Sequence, residues 1–187
     1  MITTHTAEPV VSPSELLAMV LPCGAQFLFL DEILEADQAH LVARYRFRKD
    51  SFFYSGHFPE CPITPGTILL EAMIQCGMTA QGYYLLAQET GKENARRHRF
   101  LALKSEVEWF EPVPPDTLVT MRSQLLAWKF RHIRASVKMF NENDGLVAES
   151  LVSGTGVLLI SAGEHMNSPD KSPECEGSIT KGVPYES

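Results

Sequence analysis

The sequence predicts a single α+β domain in which one long apolar helix is enclosed by an antiparallel sheet of five or six strands. Residues 65–91 hold a nearly all-round apolar segment, which is typical of a buried helix, and Pro65-Gly66 opens it. Segments with a strand-like pattern lie on both sides of this helix. The connections between the later strands are too short for crossover helices, so neighbouring strands are expected to run antiparallel.

The elements follow one another in a simple order. Ser12, Pro13 and Glu15 form a capping-box start for a short helix that ends near Val20. Alternating apolar and polar residues then indicate two adjacent strands. The predicted strands before the central helix are 26–37 and 40–47, and those after it are 100–110, 117–128, 131–140 and 146–160.

Both ends of the sequence are poor in apolar periodicity. The 1–11 segment has no pattern, and 161–187 is rich in Ser, Pro and Gly with few hydrophobic side chains. Such segments bury too little apolar area to offset the entropy lost on ordering. The sequence therefore predicts disordered ends at 1–11 and 161–187 around one domain at 12–160.

Charge and composition argue against several classes of function. The chain carries 16 Lys and Arg against 23 Asp and Glu, a net charge of −7, so it lacks the extended basic face that binds nucleic acids. No apolar run reaches the roughly 20 residues of a membrane span, and the first residues lack a leader pattern. The four cysteines have no metal-ligand spacing. We expect a cytoplasmic protein with reduced thiols, no metal and no membrane insertion.

Residues 56–75 contain groups suited to acid–base chemistry. His57 lies in a Pro-rich loop, and an imidazole is a side chain that can act as a base in neutral solution. Glu71 falls on the apolar helix, where burial raises the pKa of a carboxyl group and favours an acid. Gln75 follows one helical turn later on the same face. The helix start at Gly66 offers free backbone N–H groups that can hold an oxyanion.

This set of groups suits the removal of a proton next to a carbonyl together with protonation of a departing hydroxyl. Two of the groups also have a plainer explanation, because a loop histidine is often structural and Gly66 can simply ease the helix start. Glu71 is harder to explain by packing, since an uncharged residue would fill the same space at lower cost.

At these residues the sequence resembles the 3-hydroxyacyl-[acyl-carrier-protein] dehydratases of the hotdog fold. The shared motifs are GHFP, then P-I-x-P-G, then L-E-A-M-x-Q, with fourteen residues from His57 to Glu71. Weaker similarity covers residues 15–160, through the stretches FLFLDEIL and FLALKSEVEWFEPVPPD. Glu71, where an Asp would suggest a dehydratase-isomerase, favours the plain dehydratase type.

The resemblance implies a homodimer in which each subunit wraps a helix in a curved sheet, with the active site at the subunit interface. It assigns His57 as the base, Glu71 of the partner subunit as the acid, and Gly66 as the backbone donor to the thioester oxygen. Gln75 would orient Glu71, and Ile63 would offer its carbonyl to the ring of His57. The substrate would be carried on the phosphopantetheine of acyl carrier protein, and no cofactor is implied.

Other residues are candidates for contacts with the carrier and the acyl chain. Arg96, Arg97 and Arg99 form a dense basic cluster that we assign to docking of the acidic carrier, with a solvated loop as the alternative. Phe110-Glu111 stands where the family has a basic pair. Several aromatic residues are candidates for lining an acyl tunnel, with core packing as the alternative: Phe52, Phe53, Tyr54, Tyr83, Trp109 and Phe110.

The sequence thus predicts a dehydratase that removes water from 3-hydroxyacyl thioesters on acyl carrier protein and gives trans-2-enoyl thioesters, in fatty-acid synthesis or in specialised polyene or polyketide synthesis. Two alternatives stay open. A hotdog thioesterase also uses a helix carboxylate but has no need of His57. A catalytically silent partner subunit has no need of either His57 or Glu71. The length and type of the acyl chain are left open.

Overall fold

Six strands form one antiparallel sheet in the computed structural model, which describes residues 10–20 and 24–159. The strands are β1 (Glu32–Ala36), β2 (His40–Phe47), β3 (His98–Trp109), β4 (Thr117–Lys129), β5 (His132–Phe140) and β6 (Leu146–Leu158). Their order is β1-β2-β4-β5-β6-β3, so β1 and β3 are the two edges. All five pairings are antiparallel, which confirms the prediction made from the short connections.

The helices are α1 (Pro13–Val20), α2 (Gly66–Ile74), a π-helical segment (Gln75–Ala80), α3 (Gln81–Thr90) and α4 (Lys92–Arg96). We call α2, the π-helical segment and α3 together the central helix. It begins after Pro65 and ends at Gly91, whose φ of 82° only glycine adopts readily. Every residue at 75–87 is buried, which confirms the predicted buried helix.

The central helix lies very close to the sheet. A Cβ placed on Gly77 would be 2.3 Å from a methyl carbon of Val137 on β5, so this position has no room for a side chain. The inner face of β2 contributes Leu41, Ala43, Tyr45 and Phe47 to the same core. In the described part of the chain, no helix is long and apolar enough to span a membrane.

The stretch predicted as one strand at 26–37 is different in the structure. A 3₁₀ turn covers Ala25–Phe27, and β1 begins only at Glu32. At Phe27 and Phe29 the backbone bonds to the side chain of Gln75, as described below, and only the Asp31 amide, next to β1, donates to Arg44 O on β2. Sequence patterns detect strand-like apolarity but not this competing partner.

Two smaller differences concern the ends of elements. The short helix α4 was not predicted, and β3 starts at residue 98 rather than 100. The predicted disordered segments at 1–11 and 161–187 lie outside the described residues, apart from residues 10 and 11. Val11 is buried in the core.

Candidate active site

The loop that carries His57 is held by hydrogen bonds at both of its ends. The His57 amide donates to Phe53 O at 3.1 Å, and the Thr64 amide donates to Val113 O at 2.8 Å. The buried hydroxyls of Tyr54 and Thr64 also lie 2.6 Å apart. These bonds fix a Pro-rich segment that has no secondary structure of its own, so the position of His57 is set by the backbone around it.

The ring of His57 is fixed in one tautomer. Its Nδ1 lies 2.9 Å from the carbonyl oxygen of Ile63, as predicted, and a carbonyl can only accept, so Nδ1 carries the proton and donates. In the neutral ring the lone pair is then on Nε2. The Phe58 ring packs edge-on against the imidazole, with centroids 4.5 Å apart. His57 is therefore prepared to accept a proton at Nε2.

At the start of the central helix, two backbone N–H groups have no acceptor within the helix. Ile68 and Leu69 already donate to Pro65 O, at 2.9 and 3.1 Å, whereas the N–H groups of Gly66 and Thr67 precede the first helical turn. The indole of Trp109 donates to Gly66 O at 3.2 Å and would lie 3.0 Å from a Cβ at Gly66. The glycine thus lets the indole approach the helix start closely.

Glu71 lies half-buried on α2, one and a half turns from this helix start. Burial raises the pKa of its carboxyl group, and the hydrogen bond from the Gln75 amide lowers that pKa in part. Gln75 Nε2 donates to Glu71 Oε1 at 2.9 Å, as predicted for an orienting residue. A carboxyl group that is held in place and whose pKa is raised is suited to act as an acid.

Gln75 itself is buried and fully bonded. Its Nε2 also donates to Phe27 O at 2.8 Å, and its Oε1 accepts from the Phe29 amide at 2.8 Å. These bonds fix which way the amide points, so the N–H side faces Glu71. Sequence reasoning missed the contribution of Phe27 and Phe29, because backbone groups 46 and 48 residues away leave no signal near Gln75.

The structure does not join His57 and Glu71 within one chain. The described residues show no hydrogen bond between the two side chains: the imidazole bonds to Ile63 and the carboxyl group to Gln75. One protomer therefore presents a base and an acid that are each oriented separately. In the part of the chain described here, no group of His, Cys, Asp and Glu side chains is arranged to hold a metal ion.

The predicted aromatic and basic residues fall into different environments. Phe53 and Tyr54 are buried in the core, which agrees with the packing alternative, whereas Trp109 and Phe52 are about half exposed. Arg96 pairs with Glu93 at 3.2 Å, and the Arg99 guanidinium donates to two backbone carbonyls.

The basic cluster is far from the helix start in its own chain. It follows the end of a central helix of 25 residues, which spans about 37 Å. Sequence reasoning missed Arg131, which lies beside the cluster with a guanidinium nitrogen 3.2 Å from His98 Nε2.

The sequence of the chain is similar to those of known proteins. A family model described as a FabA-like domain matches residues 21–150. The 3-hydroxyacyl-[acyl-carrier-protein] dehydratase FabZ of Streptococcus agalactiae is 31% identical over 130 residues, which cover 70% of this chain and 86% of the relative. The dehydratase of the same name from Streptococcus pyogenes is 30% identical over 144 residues, covering 77% of this chain and 94% of the relative.

Solved structures of low sequence identity share the architecture. The dehydratase heterocomplex ApeI:P of Xenorhabdus doucetiae superposes with a TM-score of 0.62 at 12% identity, covering 77% of this chain and 90% of that chain. A thioesterase from Haemophilus influenzae gives a TM-score of 0.58 at 14% identity, covering 81% and 94%. At such identities the likeness concerns the fold alone.

Proposed function

Because the chain belongs to the family of FabA-like domains, which have the hotdog fold, we propose that it is a 3-hydroxyacyl-[acyl-carrier-protein] dehydratase. The observation that carries the proposal is the ring of His57, whose Nδ1–H bond to Ile63 leaves the lone pair of the neutral ring on Nε2. The reaction moves only protons and water, so it needs no metal and no redox cofactor. We place the enzyme in the cytoplasm.

The first half of the reaction is proton abstraction. His57 Nε2 takes a proton from C2 of the 3-hydroxyacyl thioester, and negative charge develops on the thioester oxygen. The Gly66 N–H, which has no acceptor inside the helix, donates to that oxygen, and the helix N-terminus favours the charge. Both interactions strengthen as the transition state forms, which is what acceleration requires.

The second half is loss of the hydroxyl group. Glu71, whose protonated form burial favours by raising its pKa, gives its proton to the oxygen on C3 while the C3–O bond breaks and the C2–C3 double bond forms. Water leaves, and the trans-2-enoyl thioester remains. His57 is then protonated and Glu71 ionised, so a proton must pass back through solvent before the next turnover.

We propose that two chains complete each site. The β3 edge has no partner strand on its outer side among the described residues, and it presents exposed Leu101, Leu103 and Trp109. An unpaired edge with apolar side chains favours pairing with another chain. Pairing of two β3 edges would bring Glu71 of the partner subunit to His57, which supplies the contact that one protomer lacks.

The same pairing gives the basic cluster a role in carrier docking. Antiparallel pairing sets the start of one β3 beside the end of the other. The partner subunit's Arg97 and Arg99 would then lie near Trp109 and the helix start, and not about 37 Å away. We propose that this cluster attracts the acidic carrier protein to the site of the opposite subunit.

Two single variants test the chemistry. His57→Ala and Glu71→Gln should each lower kcat by at least about a hundredfold on carrier-bound 3-hydroxyacyl substrates, with the fold intact by circular dichroism. Water loss is followed by mass spectrometry. Near-full turnover in either variant would refute the mechanism, and release of free acid in place of enoyl thioester would favour a thioesterase.

A mixed dimer tests whether the sites are shared. Co-expressed His57→Ala and Glu71→Gln chains should recover about a quarter of the wild-type activity, because half of randomly formed dimers are mixed and each mixed dimer has one intact site of two. Verified mixed dimers without activity would place both residues in one chain's site.

A further inference from the structure

Trp109, at the end of β3, forms a hydrogen bond with the first turn of the central helix. Its indole Nε1 donates to Gly66 O at 3.2 Å, although the side chain is 50% exposed and contributes little to the core. The backbone below the indole is well held: Trp109 is paired with Ala148 on β6, and the Phe110 amide donates to Val147 O at 2.8 Å. The sheet therefore presents this N–H group to the helix start from a fixed position.

The two free N–H groups of the helix start belong to two different peptide groups. The Gly66 N–H shares a rigid plane with Pro65 O, which accepts from two amides of the first turn. The Thr67 N–H shares a plane with Gly66 O, which accepts from the indole of Trp109. Because a peptide group is rigid, donors that hold its oxygen also fix the direction of its N–H. The indole thus acts on the Thr67 donor.

The indole is a second donor to an oxygen that the helix already uses. In an α-helix the carbonyl of the first residue accepts from the amide four residues later, so Trp109 takes the remaining lone pair of Gly66 O. Donation to a carbonyl oxygen polarises the whole peptide group, and its N–H becomes a stronger donor. A Cβ at Gly66 would lie 3.0 Å from the indole, so the glycine is what lets the ring come this close.

We propose that Trp109 is a positioning residue for the oxyanion. It holds and polarises the peptide group between Gly66 and Thr67, so that the Thr67 N–H acts together with the Gly66 N–H on the thioester oxygen. The inference rests on the proposed dehydratase function. Donors that are fixed before the reaction stabilise the developing negative charge most, because no reorientation is needed when the charge forms. Trp109 acts through the peptide group and not on the substrate.

Trp109→Phe tests this role, because phenylalanine keeps an aromatic ring on β3 but has no N–H donor. It should lower kcat about five- to twentyfold, less than the loss of about a hundredfold or more for a whole oxyanion donor, since the Thr67 N–H remains present. KM should change by less than about twofold, because the lost interaction strengthens mainly in the transition state.

A spectroscopic measurement separates positioning from packing. It records the infrared band of the carbonyl in a ¹³C-labelled trans-2-enoyl carrier thioester bound to the protein. Hydrogen bonds weaken a C=O bond and lower its stretching frequency, so the band should lie at higher frequency in Trp109→Phe than in wild type. A change that only loosens the packing around β3 would not move this band.

Trp128→Phe is the matched control, because Trp128 is the other tryptophan of the chain and its indole donates to Glu89, near the far end of the central helix. It should leave both kcat and the carbonyl band unchanged. Gly66→Ala is a second test, since its Cβ would displace the indole while the N–H groups of the helix start are kept. Both site changes disturb the same hydrogen bond, so the double variant should be no less active than the more impaired single variant.

Each outcome decides a different statement. An unchanged kcat or an unchanged carbonyl band in Trp109→Phe would overturn the positioning role. A raised KM without loss of kcat would also overturn it, because the indole would then bind the substrate directly. Losses that multiply in the double variant would mean that Gly66 and Trp109 act separately. If wild type dehydrates no carrier-bound substrate, the proposed dehydratase function fails, and the carbonyl band of the bound thioester still decides whether Trp109 acts on the N–H groups.

Discussion

Replacing Gln75 by Met tests how the carboxyl group of Glu71 is held in place. Methionine has nearly the same length and keeps the core filled, but it removes the donor to Glu71 and both bonds to the backbone of Phe27 and Phe29. Because the Gln75 amide lowers the pKa of Glu71, its loss should raise that pKa further. A carboxyl group that stays protonated to higher pH also donates a proton less readily.

The size of the shift follows from the lost hydrogen bond. A hydrogen bond to a charged group contributes about 1.5–3 kcal/mol when buried. Glu71 is only half-buried, so solvent screening moves this contribution toward the lower end of the range, and the pKa of Glu71 should rise when the hydrogen bond is lost. The Phe29 amide and the Phe27 carbonyl also lose their partner, which should lower the free energy of unfolding by about 2–4 kcal/mol.

The assay is a ¹³C NMR titration of the Glu71 carboxyl carbon, together with the pH profile of kcat/KM. The limb of the profile that reports Glu71 should move to higher pH. Gln81→Met is the matched control, since Gln81 is equally buried on the central helix and donates to Asp37 O at 2.7 Å, away from Glu71. It should lose stability with no change in the titration of Glu71.

Two results would refute this reasoning. An unchanged or lowered Glu71 pKa in Gln75→Met would mean that the amide does not stabilise the ionised carboxyl. An equal shift in Gln81→Met would mean that loss of stability alone, and not the hydrogen bond, changes the titration.

Three further predictions concern other parts of the molecule. Glu71→Gln should raise the Tm at pH 8 and leave it unchanged at pH 4 in thermal denaturation, because burial raises the folded-state pKa above 4.5 and the ionised form destabilises the fold only above that pH. Gly77→Ala should lower the unfolding free energy in urea titrations by about 1–3 kcal/mol through overpacking, whereas Gly56→Ala, with open space around its Cβ, should change it by less than about 0.5 kcal/mol. Combined Arg97→Ala and Arg99→Ala should raise the KM for carrier-bound substrate more than that for a carrier-free thioester, and should flatten its salt dependence.

Features that depend on neighbouring residues were predictable from the sequence. The apolar segment after Pro65-Gly66 predicted the buried central helix, and the short turns predicted antiparallel pairing. The proximity of Glu71 to Gln75 could also be anticipated, because the two residues are one helical turn apart. The contact of His57 with Ile63 was expected only from the resemblance to the family.

Features that depend on distant residues were not predictable. The 3₁₀ turn at Ala25–Phe27 places Phe27 O against the side chain of Gln75, and the π-helical segment starts at Gln75. No sequence pattern near either segment indicates that the two segments are in contact. The distance between Arg97 and the helix start is set by the length of the central helix. The order of residues alone does not show where the end of that helix lies relative to the site.

In the proposed dimer, the independent anchoring of base and acid would allow a site shared by two chains to work without assembly-induced ordering. His57 is oriented by Ile63 and Glu71 by Gln75, so each group already has its hydrogen-bond partner before any second chain binds. The proposed pairing of two β3 edges would then only bring together parts that are already fixed, and little further entropy would be lost at the reacting groups. In that dimer, a substitution at Gln75 should impair the site completed by the other subunit's histidine, since Gln75 acts on the Glu71 of its own chain.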